Sequence, residues 1–314
     1  MRSEPRLIGS LQAQHRPRLG GRGHLAAELL DDAADLGNLL RSGSIAADGS
    51  VTIDPTARLA SVPKVTRGMA RPDGEDVEVS FSPDEDLSER VIFPVTEAQT
   101  NGIEDARSVE FEDEGRKTFF ATYTAYSGRA IRSELLATTD FRCFRMTPLS
   151  GSATRNKGMG LFLRKIDGRY AMIGRQDNEN LHLIYSDDLY TWDGGHAFVQ
   201  PAYPWEFVQI GNCGSPIELD EGWLLLTHGV GPVRKYSIGA LLLDKQDPSK
   251  VLGRSREPLV RPDPTEREGY VPNVVFTCGA LRHGDRIVLP YAVSDTFSNF
   301  ATIRIAALLE ALAA

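Results

Sequence analysis

One phrase recurs along this chain: a polar turn containing glycine, then an apolar strand that ends on a polar or aromatic residue. It is written as Gly115-Arg116-Lys117-Thr118-Phe119-Phe120-Ala121-Thr122-Tyr123, Gly168-Arg169-Tyr170-Ala171-Met172-Ile173-Gly174-Arg175, Gly222-Trp223-Leu224-Leu225-Leu226-Thr227-His228 and Gly284-Asp285-Arg286-Ile287-Val288-Leu289-Pro290-Tyr291. A second strand follows each start, at Leu135 to Thr139, Leu181 to Ser186, Ser237 to Leu243 and Ala301 to Ile305. Multi-strand repeats of about 40 to 50 residues mark propeller blades, each of which needs a neighbour to bury its faces. Four such repeats after an N-terminal remnant predict an all-β fold, a five-bladed β-propeller incomplete at its N-terminal blade. A β-sandwich also has many short strands, but the regular four-part period favours the propeller.

Residues 1–41 read differently, as a leader: an Arg- and Gly-rich start, then an amphipathic helix from Leu25 to Leu40. The propeller domain is expected over residues 42–314, with Ser44 to Pro94 supplying only the remaining strands of a first blade. A short Ala/Leu-rich helix, Ala306 to Ala313, is expected to cap the last blade.

A net charge of −8 argues against nucleic acid as a partner, whose phosphates are met by clustered Lys and Arg. No apolar run approaches the roughly 20 residues that span a bilayer, and the start lacks the apolar core of a secretion signal. Cys143, Cys213 and Cys278 are an odd number without the spacing of a zinc site, so no metal is expected. These features imply buried structural thiols and a cytoplasmic protein without a membrane partner, leaving a homo-oligomer open.

A propeller's site draws on equivalent positions of successive blades, rather than on one contiguous motif. Asp105, Arg175, His228 and Asp295 stand near strand ends in successive repeats. Asp105 follows the bend-prone Asn101-Gly102, where a shielded carboxyl can serve as general acid; an Asx-turn or strand cap is the competing reading. Arg175 and Lys157 suit an anion or sugar hydroxyls, against plain surface solvation. His228, after three leucines, also reads as a core histidine. Trp192, Trp205, Tyr203, Tyr236 and Tyr270 can stack on sugar rings or simply pack. Trp205-Glu206 precedes the glycine-rich Gly211-Asn212-Cys213-Gly214-Ser215-Pro216, a loop that can approach a ligand closely. No Walker loop, Rossmann fingerprint or nucleophile elbow is present.

Taken together, several segments resemble glycoside hydrolase family 130 over about residues 90 to 305. They are Gly102-Ile103-Glu104-Asp105-Ala106-Arg107, Trp205-Glu206 with Ile210-Gly211, Gly222-Trp223 through His228-Gly229-Val230, Tyr236-Ser237-Ile238-Gly239-Ala240 through Leu243-Asp244, and Val271-Pro272-Asn273-Val274-Val275-Phe276. The resemblance implies a five-bladed propeller that cleaves β-mannosides with inversion. Most members are phosphorylases that release α-mannose 1-phosphate, so inorganic phosphate is the implied co-substrate and no cofactor is needed. It also implies that Asp105 is the acid, acting through a sugar hydroxyl, a relay in keeping with inverting chemistry. Substrate contacts are expected from Arg107, Lys157, Arg175, Glu206, Asn212, His228, Tyr236, Asn273 and Asp295.

Two departures shape the alternatives. Gln209 stands where many family phosphorylases have a phosphate-binding Lys, leaving Lys157, Arg175, Arg234 and Lys235 as cations. The first-blade Asn and Arg of the family have no counterpart in residues 1 to 60. An inverting β-mannosidase using water, with Glu206 or Glu268 as base, is therefore the second expectation. A truncated, inactive carbohydrate-binding propeller is the third.

Overall fold

The computed structural model describes residues 44–45, 51–52, 63–71, 74–263 and 269–313. The leader of residues 1–41 and Glu268 lie outside them. The described chain forms four consecutive antiparallel sheets in a propeller-like arrangement, besides a two-stranded ladder of Ser44–Ile45 with Val51–Thr52.

The first blade runs outward from Ile103–Asp113 through Arg116–Tyr126 and Ile131–Thr138 to Cys143–Pro148. The second comprises Gly160–Leu161, Tyr170–Gly174, Leu181–Ser186 and His196–Val199. In the third, Gln209–Asn212 and Ile217–Glu218 share one edge of Trp223–Gly231, with Lys235–Leu243 and Val251–Arg254 beyond. In the fourth, Val275–Phe276 and Leu281–His283 line one edge of Arg286–Val293, and Phe297–Arg304 lies on the other. Each recurring phrase of the sequence is the second strand of a blade.

The turn before that strand explains its glycine. At Glu114-Gly115 φ is 50° and 74°, and at Asp167-Gly168 it is 49° and 75°. Two successive positive φ values make the two-residue hairpin turn whose twist matches the strands, and only glycine adopts the second without strain.

The core lies between blades, which is why the central strands are apolar on both faces. Along Trp223–Gly231, Trp223 and Leu225 pack with Phe162, Ile173 and Leu183 of the second blade. Leu224 and Leu226 point the other way, into a cluster with Ile287 and Leu289 of the fourth. This is the period-two alternation of a strand, with both faces buried. Phe111 and Leu135 meet Leu161, Met172 and Trp192 in the same manner between the first two blades. Away from the site loops, Arg164 of the second blade grips Glu218 of the third at 2.9 and 3.0 Å and lies 5.0 Å over the Trp223 ring.

Two placements differ from expectation. The hairpin Lys64–Arg71 and Gly74–Ser80 does not belong to a separate blade; it extends the first one, with Val77 opposite Met146 on Cys143–Pro148. Val77, Val79 and Phe81 fill a cluster with Tyr123, Phe144 and Met146, so apolar contact fixes the pairing. The closing helix, Ile305–Ala313, caps the third blade as well as the fourth: Leu308 and Leu312 enter the core those two share, and Gly253 on the third blade's outer strand leaves room for Leu312. Four blades, not five, fall within the described residues.

Candidate active site

Each inner strand begins opposite the end of its blade's second strand, as the pairs Ile103–Ala125, Gly160–Ile173, Gln209–Val230 and Val275–Val293 show. The start of every inner strand therefore lies beside the loop that follows every second strand, and contacts between blades join these ends into one site.

Asp105 stands at a bulge in the first blade's inner strand, where the register slips between Glu104 and Arg107. Its φ of 59° is left-handed, a conformation uncommon outside glycine though better tolerated by Asp than by most residues. A bulge re-aims the side chain it carries. Arg107, buried at 2% exposure, donates from Nη1 to the Asp105 backbone oxygen at 2.8 Å, and its Nη2 lies 3.9 Å from Oδ2. The thiol of Cys278, from the fourth blade, lies 3.9 Å from Oδ1. Lys157, at the start of the second blade, pairs with neighbouring Glu104 at 3.4 Å.

Arg175 ends the second strand of the second blade and is buried. Its Nη1 lies 3.2 Å from His228 Nε2, joining the second blade to the third. Burial lowers the Arg175 pKa, Arg107 adds to that, and Tyr236, Asp105 and Asp177 oppose it. Gln209 completes this contact: with its amide oxygen turned to Arg175 it accepts from Nη1 at 2.5 Å, while its nitrogen donates to Asn178 O at 3.3 Å. Gln209 thus touches this buried cation directly.

His228 is buried, stacked on Tyr236 at 5.8 Å and edge-on to Phe276 at 5.2 Å. Burial first, then Arg175, Arg107 and Lys157, hold its pKa well below 6.5, so it is neutral at pH 7. Gly211 makes the meeting of Arg175 and His228 possible. A Cβ there would stand 2.5 Å from His228 Cε1 and 3.3 Å from Arg175 Nη1.

Of the other expected site residues, Asn212 is buried against Gly160, with Nδ2 donating to Gly214 O at 3.3 Å and Oδ1 unpartnered. Asn273 has a φ of 64° and accepts from Tyr236 N at 3.0 Å through its backbone. Asp295, φ 50°, is exposed in the loop after the fourth blade's second strand. Glu206 is fully buried, pairs with Arg254, and accepts from the backbone nitrogens of Ala202 and Tyr203 at 3.0 and 3.1 Å. It holds the Trp205 loop together, and the structure does not place it with Asp105.

The aromatic expectations divide. Trp192 is wholly buried and donates to Leu189 O, so it is core and not a sugar platform. Trp205 covers Gly229 and Gly239 and lines a cavity of about 110 Å³ with Lys235, Ser237, Glu257 and Arg261. Tyr203 lies under Arg254, whereas Tyr270 is 88% exposed. Among the thiols, Cys143 is exposed rather than buried. Among the described residues, no group of three His, Cys, Asp or Glu converges to hold a metal ion.

The geometry thus gathers a carboxyl, two buried guanidiniums and a neutral imidazole from three blades. A family model described as β-1,4-mannooligosaccharide phosphorylase matches residues 81–314, which include every one of these residues. The chain belongs to glycoside hydrolase family 130. Two family relatives are the 1,2-β-oligomannan phosphorylase of Thermoanaerobacter sp. (strain X514), 32% identical over 69% of this chain and 73% of its own length, and the β-1,2-mannobiose phosphorylase of Listeria innocua serovar 6a, 33% identical over 70% and 63%. The solved structure of a Listeria innocua β-1,2-mannobiose phosphorylase with β-1,2-mannobiose superposes with a TM-score of 0.64 and 28% identity. That superposition covers 76% of this chain and 69% of the other.

Within this candidate family 130 site, three contacts were not visible in the sequence. Cys278 meets Asp105 only through folding, because 173 positions separate them. Glu104 was visible in the motif, but its pairing with Lys157 was not. Gln209 registers in sequence as a lost cation and in space as an acceptor for Arg175.

Proposed function

We propose that this protein cleaves β-mannosidic bonds of manno-oligosaccharides by phosphorolysis with inversion, releasing α-mannose 1-phosphate. The observation that carries this reading is the pair of buried arginines beside Asp105. The Nε atoms of Arg107 and Arg175 are buried without hydrogen-bond partners. A buried donor left unsatisfied costs about 1–3 kcal/mol, and an oxyanion supplies the acceptors. The two phosphorylase relatives and the mannobiose-bound neighbour support both the reaction and the substrate class, with β-1,2-mannobiose as the first substrate to test.

In this mechanism Asp105 delivers its proton to the leaving sugar through a substrate hydroxyl. Arg175, with Arg107 behind it, holds phosphate on the opposite face of the ring for attack at the anomeric carbon. His228 stays neutral, so it adds no charge, and its Nε2 accepts from Arg175 Nη1. Tyr236 braces its ring. Inversion requires room for the nucleophile opposite the leaving group, and residues from separate blades provide it.

The alternative, hydrolysis by an activated water, finds support in Gln209, which brings no charge to Arg175. As a base for it Glu206 would have to use Oε2, because Arg254 and two backbone amides all engage Oε1. The ring remains proposed as five-bladed, and the three unpaired thiols fit a reducing, cytoplasmic compartment.

Varying phosphate at saturating β-1,2-mannobiose tests the reading. Arg175→Gln should raise the KM for phosphate at least about tenfold, consistent with losing a charged hydrogen bond, while the KM for mannobiose changes less than about twofold. Turnover independent of phosphate would reject phosphorolysis and favour the hydrolase.

A further inference from the structure

We propose that Cys278 is a positioning residue for the proton donor: its thiol, carried by the fourth blade, holds the Asp105 carboxyl of the first through an S–H···Oδ1 contact. This inference rests on Asp105 being the acid. The sulfur lies 3.9 Å from Oδ1, while the other oxygen faces Arg107 Nη2, also at 3.9 Å. The closest contact Arg107 makes with Asp105 is to the backbone oxygen, at 2.8 Å. The guanidinium therefore fixes the main chain at the bulge, and the thiol meets the side chain.

Cys278 is held in turn. Thr277 Oγ1 donates to Gly279 O at 2.7 Å and accepts from Gly279 N at 3.2 Å. Gly214 of the third blade closes on the same turn so tightly that a Cβ on it would stand 2.7 Å from Gly279 Cα and 2.8 Å from Cys278 O. The thiol thus has a defined direction before any substrate arrives.

Its titratable and charged neighbours are Asp105, Glu104, Arg107 and Cys213. Burial is the largest influence and pushes the Cys278 thiol up; Arg107 opposes this, Asp105 and Glu104 add to it, and the thiol settles at about 11. It therefore remains a neutral S–H donor at pH 7. A neutral donor orients the carboxyl without adding a further charge beside it.

The kinetic test compares Cys278→Ala with Cys278→Ser in phosphorolysis of β-1,2-mannobiose. The loss of one neutral hydrogen bond should lower kcat about three- to tenfold in the alanine variant, with KM for both substrates within about twofold. Serine, which keeps a donor, should restore most of the rate, and Cys143→Ser should change nothing. Unchanged kcat in Cys278→Ala, or equal impairment in both Cys278 variants with native melting temperatures, would overturn the proposal.

A second readout does not depend on turnover, so a failure of the phosphorylase reading is distinguishable. Carbamidomethylation of Cys278 by iodoacetamide, followed by peptide mass spectrometry across pH, reports its thiolate. Asp105→Asn should move that reactivity to lower pH while Cys143 stays where it was. No movement at Cys278 would show that the contact does not exist.

Discussion

The proton-donor role proposed for Asp105 needs a fixed backbone and an aimed carboxyl, and contacts from two different blades meet these two parts of the residue. The left-handed bulge turns it out of the inner strand, Arg107 secures its carbonyl, and Cys278 meets its oxygen. The Glu-Asp motif made Asp105 legible in the sequence. Its φ and its thiol neighbour were not, because they depend on strand register and on a contact between the first and fourth blades.

His228 carries the prediction at this scale. Its folded pKa is depressed below 6.5, so under acid the unfolded chain takes up a proton that the folded chain refuses. Its contribution to stability is therefore present above pH 6.5 and falls as pH drops below it, by up to about 1.4 kcal/mol per pH unit. Urea unfolding of wild type and His228→Gln between about pH 7.5 and about pH 5.5, a range of about one unit either side of an ordinary histidine pKa, should give a shallower acid slope for the variant. Parallel slopes would mean that His228 titrates normally when folded.

At the scale of the element, the strand Trp223–Gly231 makes the fold possible, because its two faces bind two different blades. Leu225→Ala removes contacts with the second blade alone and should cost about 2–5 kcal/mol, read as a lower denaturation midpoint with the strand order retained. A cost below about 1 kcal/mol would show that the interblade seam is loosely packed. The repeat turns were legible because Glu114-Gly115 and Asp167-Gly168 have a local conformational requirement. The hairpin at residues 64–80 was misplaced because its partner strand begins at Cys143, and apolar alternation does not say which edge a strand will join. Glu206 was legible as a motif residue, but its pairing with Arg254 was not, for a related reason: the partner lies on another strand.

For the whole molecule, four consecutive blades of a family 130 chain supply the scaffold, and the candidate site lies at one end of those blades. The repeats disclosed the propeller, and the −8 charge turned attention from nucleic acid toward small ligands. The arginine pair was only half legible: Arg175 ended a strand conspicuously, whereas Arg107 drew notice through the family motif. Gln209 was legible as a neutral residue, but its contact with Arg175 was not, because that contact depends on two blades meeting.

Inverting phosphorolysis driven by Asp105 is decided by proton NMR of the reaction with β-1,2-mannobiose and inorganic phosphate. The wild type should form α-mannose 1-phosphate as the first anomer, and Asp105→Asn, folded and still able to bind mannobiose, should form it at least about a hundredfold more slowly. A β-phosphate, free mannose at the same rate without phosphate, or an Asp105→Asn variant with undiminished turnover would refute this reaction.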